Sequence, residues 1–224
     1  MQVMGPLSTP TPAAAAILDA VLTVVDRQGL DRATVREVAK AAGVSIGTVQ
    51  HYFATKDAML AAAFTEVVRR IHARVTARLD ESHDIRTNLT AVLHEFLPLD
   101  DRRRTEVRVQ VAFAARAATV PALAELQQAI LTQVHQALRE AIAHILSDDD
   151  HSDSPRHLAH AALALVDGLA QHAVTTSAPL TADDMTAALD TLLDCRCARH
   201  HSSRPERPSS PSQLAETQGG GLPD

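Results

Sequence analysis

The sequence predicts an all-α chain, and three observations carry that expectation. Apolar residues make up 46% of the chain and are mainly Ala, Leu and Val, while aromatics contribute only 2%. Long stretches lack Gly and Pro, and their apolar residues recur at three- and four-residue spacing instead of alternating as a half-buried strand requires. The length, 224 residues, is enough to enclose a substantial core. The pattern predicts about nine helices: a three-helix N-terminal unit over 12–56 and a larger helical body over 57–197. Residues 1–11 are expected to be flexible. From 198 to 224 the composition turns to Ser, Pro, Gln, Arg and Gly, which predicts a disordered tail.

Within the first unit, TVREVAKAAGVSIGTVQHYFATK, residues 34–56, fits two short helices joined by a tight turn. Thr34 is placed to cap a helix reaching about Ala41, with Glu37 completing a capping box. Ala39 is small where two helices must cross, and Gly43 stands where the chain must turn. Ser45 caps a second helix that runs to Tyr52. Val38, Ala42, Val44, Val49 and Tyr52 are expected to form the buried face. The outward face then carries Ile46, Gly47, Thr48, Gln50 and His51. Thr48 and Gln50 have side chains able to bond base edges or phosphates, and Arg36 and Lys56 place cations to either side. A Gly in the first turn of a helix makes sense where the backbone must approach another surface closely. These are the features of a DNA-binding helix-turn-helix.

The segment resembles the N-terminal domain of the TetR family of bacterial transcriptional regulators over about residues 12–70. The resemblance rests on the Thr34 start, VAKAAGVS, GTVQHYF and the TKDAML entry into a long fourth helix. It implies that Arg36, Ser45, Gly47, Thr48, Gln50 and His51 lie near DNA and that Lys56 contacts a phosphate. Thr34, at the start of the segment, and Tyr52, which reads as core or contact, complete the DNA-facing set. Gln50 stands where many family members have Tyr.

The body reads as further helices in order. The fourth is expected over about 57–79, with Leu60, Phe64, Val67, Val68, Ile71 and Val75 on one side. The fifth is expected over 85–97, where Pro98 stops it. A sixth starts near Leu99 and breaks at Thr119–Pro121. The seventh spans about 122–146, and SDDDHSDSP, 147–155, reads as a solvated acidic loop. Pro155 and Thr181 mark the starts of the eighth, to about Thr175, and the ninth, to about Cys195. Cys195 and Cys197 are too close in sequence for an ordinary disulfide and too few for a structural zinc site.

Charge and motifs narrow the function. The net charge is -6, yet Arg32 to Lys56 holds four cations and the single acid Glu37, so a basic end sits on an acidic body. No apolar run reaches the ~20 residues of a membrane span. The N-terminus lacks the basic start of a secretory signal, which gives a cytoplasmic expectation. Neither a phosphate-binding Gly-rich loop nor a nucleophile elbow is present, so no catalytic role and no cofactor are expected. His157 and His160 share a helix face near the acidic loop, but their grouping is too loose to predict a metal site.

The second half is similar to the C-terminal domain of BetI-type TetR regulators over about 97–193, through LPLDDRRRTEVRVQVAFAARAATVPALAELQ, LALVDGLAQHAV and TADDM. This implies a domain that dimerises and encloses a small molecule. Phe64, Val68, Phe96, Phe113 and Leu163 are the expected pocket walls, with His94, Arg116 and His172 as polar anchors. A quaternary ammonium effector normally needs an aromatic cage, and with no Trp and one Tyr the composition favours an apolar or amphipathic effector. Ala161, Leu165, Leu169, Leu189, Leu192 and Leu193 are expected at a homodimer interface built from the last two helices. The reading is a dimeric repressor of a palindromic double-stranded operator, released by its effector. An effector-independent activator or a nucleoid-associated helical dimer is the alternative.

Overall fold

A computed structural model describes residues 9–79, 82–146, 154–177 and 180–202. Among them are nine α-helices and no strand. Helix α1 (Pro12–Gln28) is capped by Thr11, whose hydroxyl accepts from the Ala14 N–H, and has Pro12 in its first turn. Gly29, at φ 79°, ends it ahead of a single 3-10 turn, Leu30–Arg32. Two short helices follow, α2 (Val35–Ala42) and α3 (Ile46–Tyr52), and then the long α4 (Lys56–Arg78). The body continues with α5 (Ile85–His94), α6 (Asp101–Ala117), α7 (Pro121–Leu146), α8 (Ser154–Thr175) and α9 (Ala182–Ser202).

Three apolar clusters hold these helices together. The first joins α1, α2 and α3 to one side of α4 through Ile17, Val21, Val38, Val49, Met59 and Ala63, and reaches Val92 of α5 and Val109 of α6. A second, with Leu60, Phe64, Val68, Phe113 and Leu123, lies where α4, α6 and the start of α7 meet. The third packs α5, α7, α8 and α9 around Leu93, Leu138, Leu163, Val166, Met185 and Leu189. Helix α4 therefore belongs to both head and body.

Buried charge reinforces the junctions. Glu95 and Glu106 are only 3% and 1% exposed. Arg74 of α4 sits between them, 3.0 Å from Glu95 and 2.8 Å from Glu106, and Arg103 and Arg78 also reach Glu95. Such carboxylates are tolerable away from water only when paired. A second group ties α4 to α1: Glu66 accepts from Arg69 and Arg70, and Arg70 also pairs with Asp19. Burial pushes the Glu66 carboxyl up, but the Arg69 and Arg70 bonds outweigh it and hold its pKa below the usual glutamate value.

Several boundaries differ from the sequence expectation. Helix α5 stops at His94, because Glu95, Phe96 and Leu97 each donate to the carbonyl three residues back and tighten the chain into a turn before Pro98. Glu95 gains its place in the ion network through that turn. Helix α6 starts at Asp101, one residue after the Asp100 cap. Helix α9 runs beyond Cys197 to Ser202, past the expected start of the tail; the first strong breaker after it is Pro205. Both cysteines lie on this helix; of the expected acidic loop, Ser154 and Pro155 open α8 instead, and 147–153, the first eight residues and the chain beyond Ser202 fall outside the described residues. Tyr52 is corrected from the expected buried face: it is 37% exposed, and the adjacent Phe53, where α3 turns extended, enters the core instead.

Candidate nucleic-acid interface

The geometry of α2 and α3 follows from their caps and their turn. The Thr34 hydroxyl accepts from the Glu37 N–H at 3.3 Å and opens α2. Gly43 is left-handed, φ 68° ψ 30°, so the N–H of Val44 reaches back to the Ala39 carbonyl at 3.0 Å. A side chain at Gly43 would be strained there in any surroundings. Ser45 then caps α3, accepting from the Thr48 N–H at 3.0 Å, and its hydroxyl lies 2.8 Å from that of Thr48. Val38, Ala39 and Val49 bury the helix crossing.

What remains outward on α3 is bare. Ile46 is 47% exposed, and Gly47, Gln50 and His51 are exposed as well. Tyr52 meets His51 edge-on, ring centres 5.3 Å apart. Thr48 is half-buried, with its hydroxyl held by Ser45. At Gly47 a Cβ would touch only the Ser45 hydroxyl at 3.7 Å, ordinary contact, so packing within the chain does not require glycine. Arg36 is exposed on α2. Lys56 begins α4, capped by Thr55, and its ammonium donates to the Asp31 carbonyl at 3.3 Å. The structure thus brings the sequence-derived DNA-facing set, Thr34 to Lys56, onto the one end of the molecule built from α2, α3 and the start of α4. A helix N-terminus flanked by cations favours phosphate oxygens, while an exposed helix with amide, methyl and imidazole groups can read base edges.

The expected pocket residues separate. Phe64 and Phe113 stack face to face, ring centres 3.9 Å apart and 10° between planes, with Val68 in the same cluster. Leu163 belongs to the α5–α7–α8–α9 cluster, and Phe96 is partly buried against both that cluster and the head core. The Nε2 atom of His94 is buried 3.5 Å from Asp190 of α9, too long for a hydrogen bond. His172 is exposed on α8. Arg116 is also exposed and does not join the walls: it grips Asp57, next to Lys56, through two bonds of 2.9 and 3.0 Å. Those bonds hold the Asp57 carboxyl below its usual pKa. No spacing rule could have found this contact, which joins residues 59 apart in sequence.

Of the expected interface residues, Ala161 is exposed, and Leu165, Leu169, Leu192 and Leu193 are partly buried. Leu189 is 0% exposed within a single chain, so it is corrected to the body core: it faces α5, α7 and α8 from α9. Two features escaped the sequence reading. Asp167 of α8 keeps solvent contact, yet the burial of its surroundings pushes its carboxyl from 3.8 up to about 6. Arg108 of α6 pairs with Asp26 of α1, a second tie between body and head beside Arg116–Asp57.

Residues 17–63 match the family described as bacterial regulatory proteins, tetR family, and residues 85–198 match the BetI-type transcriptional repressor C-terminal domain. The HTH-type transcriptional regulator BetI of Stenotrophomonas maltophilia is 32% identical over 154 residues, covering 68% of this chain and 76% of that protein. A transcriptional regulator of known structure from Rhodococcus is 37% identical with a TM-score of 0.73, covering 81% of this chain and 94% of its own. A regulator from Saccharomonospora viridis, solved in complex with choline, shares the fold at a TM-score of 0.73 and 22% identity, over 81% and 95% of the two chains.

Proposed function

The chain belongs to the TetR family of bacterial regulatory proteins, DNA-binding transcriptional regulators, and from that premise we propose that it acts as a symmetric dimer. The two heads occupy the half-sites of a palindromic operator and block transcription until a small molecule releases them. The bare outward face of α3 carries the reading: Gln50, His51 and Ile46 stand exposed beside a glycine that the fold itself does not need. In this reading Gln50, His51 and Ile46 meet base edges, and Gly47 lets the backbone approach the groove. Arg36 and Lys56 meet phosphates, while Ser45, Thr48 and Thr34 hold the helices in register.

One head offers few base contacts, and a twofold dimer doubles them at half-sites about one helical turn apart. The exposed Ala161 and the partly buried Leu165, Leu169, Leu192 and Leu193 of α8 and α9 supply the surface for that pairing. The effector is apolar or amphipathic. Phe64 and Phe113 stack on one face and are buried on the other, which leaves no open aromatic face there for a quaternary ammonium group. Release passes through α4, shared by both cores, and α6, whose Arg108 and Arg116 hold α1 and the start of α4. A coupling of ~1–3 kcal/mol changes operator affinity about 5- to 150-fold.

The test is a titration of the full chain against duplex DNA from upstream of its own gene and against scrambled duplex, at physiological salt. Tighter binding to one palindrome by about a thousandfold is expected. Equal, weak binding to every duplex, the own-gene region and a genome-wide selection included, would assign the head to an architectural role instead.

A further inference from the structure

Where α7 packs against α8, a groove of about 440 Å3 opens on the surface of the body, floored in part by Ala159 of the core and lined by polar side chains. Each helix contributes an arginine and a histidine four residues apart, His135 with Arg139 on α7 and Arg156 with His160 on α8. That spacing places each pair on one helix face. The two histidine rings meet across the groove, centres 4.4 Å apart, and the Nδ1 atom of His160 lies 2.8 Å from the Arg156 carbonyl. Crowding lowers the His135 pKa, and the neighbouring His160 lowers it further.

Most arginines elsewhere in the body meet carboxylates, and Arg104 of α6 donates to the Ala173 carbonyl at 3.1 Å instead. On α4, Arg69, Arg70, Arg74 and Arg78 all meet carboxylates, and so do Arg102, Arg103, Arg108 and Arg116 on α6. Among the described residues, neither Arg139 nor Arg156 has a carboxylate in ion-pairing reach. Arg139 donates only to the Gln136 amide oxygen at 2.9 Å, and the nearby Glu140 is engaged by the amide nitrogen of the same Gln136. Two guanidiniums that cannot lose their charge, with no carboxylate partner among the described residues and set around two imidazoles, repel a cation and favour an anion.

We propose that this groove binds a small molecule bearing a phosphate or a pair of carboxylates, held between Arg139 and Arg156 with His135 and His160 beside them. The site is separate from the apolar walls around Phe64 and Phe113, and its occupancy is independent of whether the head binds an operator. Phosphate and dicarboxylate share the chemistry the groove offers, so both are used as probes.

Calorimetric titration of the full chain with inorganic pyrophosphate and with succinate, each at constant ionic strength against sodium chloride, tests the proposal. One of the two probes should saturate at one site per chain, and the one that binds names the source class. The double variant Arg139→Gln, Arg156→Gln should weaken that probe at least tenfold while unfolding at the same temperature and keeping its mass in solution. Three results would overturn the site: neither probe saturating beyond chloride, the double variant binding as well as the parent, or the double variant changing the oligomeric mass, which would make the groove a contact between subunits.

Discussion

At Gly47 the chain accepts poor helix propensity on a turn where its own packing leaves room for a methyl group. The consequence can be measured in two directions at once. Gly47→Ala should raise the unfolding free energy, by up to ~1 kcal/mol, while weakening operator binding; unchanged operator affinity would remove the close-approach argument. Gln50 and Lys56 separate in the same way. Gln50→Ala should alter sequence preference with little change on random DNA, whereas Lys56→Ala should weaken all duplexes and flatten the salt slope by about 0.9 per head. Loss of the Lys56 bond to the Asp31 carbonyl adds only a small stability cost, since it is a single exposed contact. Thr34, Gly43 and Ser45 were legible in sequence because caps and left-handed turns are local chemistry. Tyr52 was less so: whether it or Phe53 turns inward depends on the extended residue that ends α3, and helical spacing alone favours the wrong ring.

Helices were legible wherever their end signals lie within a few residues. The starts of α2, α3 and α4 and the break between α6 and α7 were expected from Thr34, Ser45, the TKDAML entry and Pro121. What the spacing could not show is which charges pair across helices. Arg74 carries the sharpest example. Arg74→Ala should cost about 3–5 kcal/mol in urea unfolding, because Glu95 and Glu106 would lose their shared partner while remaining buried. A loss near zero would mean that Arg78, Arg102 and Arg103 suffice for both carboxylates. On α8, Asp167 gives a dependence on acidity. Its carboxyl titrates at 3.8 in an unfolded chain and at about 6 in the fold, so the folded state holds the proton more tightly between those values. Stability therefore falls as pH rises from about 4 through about 6 and stays lower above. Asp167→Asn should raise the melting temperature at about pH 7.5 and leave it unchanged at about pH 3.5, where both side chains are neutral. An equal shift at both values would place the effect in packing rather than in charge.

For the whole molecule, the division into a basic end and an acidic body follows from where the charges fall, not from their sum of -6. Arginines of α4 and α6 bind the carboxylates of Asp19, Asp26, Asp57 and Glu106, while Arg36 on the head stays exposed. Association with DNA is thereby directed to one end. Pairing of two chains belongs to this scale too. Leu165→Glu with Leu193→Glu should convert the protein to a monomer in sedimentation and abolish tight operator binding while the helical signal persists; a dimer that survives both changes would move the interface away from α8 and α9. Leu189 shows why that surface was only half legible, since an apolar stripe on a terminal helix serves its own core and a partner with the same residue types.

Helix α6 meets the head at Asp26 and at Asp57, eight residues apart along its own length. A rod pinned at one point acts as a pivot, but a rod pinned at two transmits torque, so a roll of α6 is passed to α1 and to the start of α4. Both pins are ionic and reach the surface, and concentrated salt loosens such pins. If an effector acts as proposed, its binding and that of DNA would each persist while the coupling between them weakens as ionic strength rises.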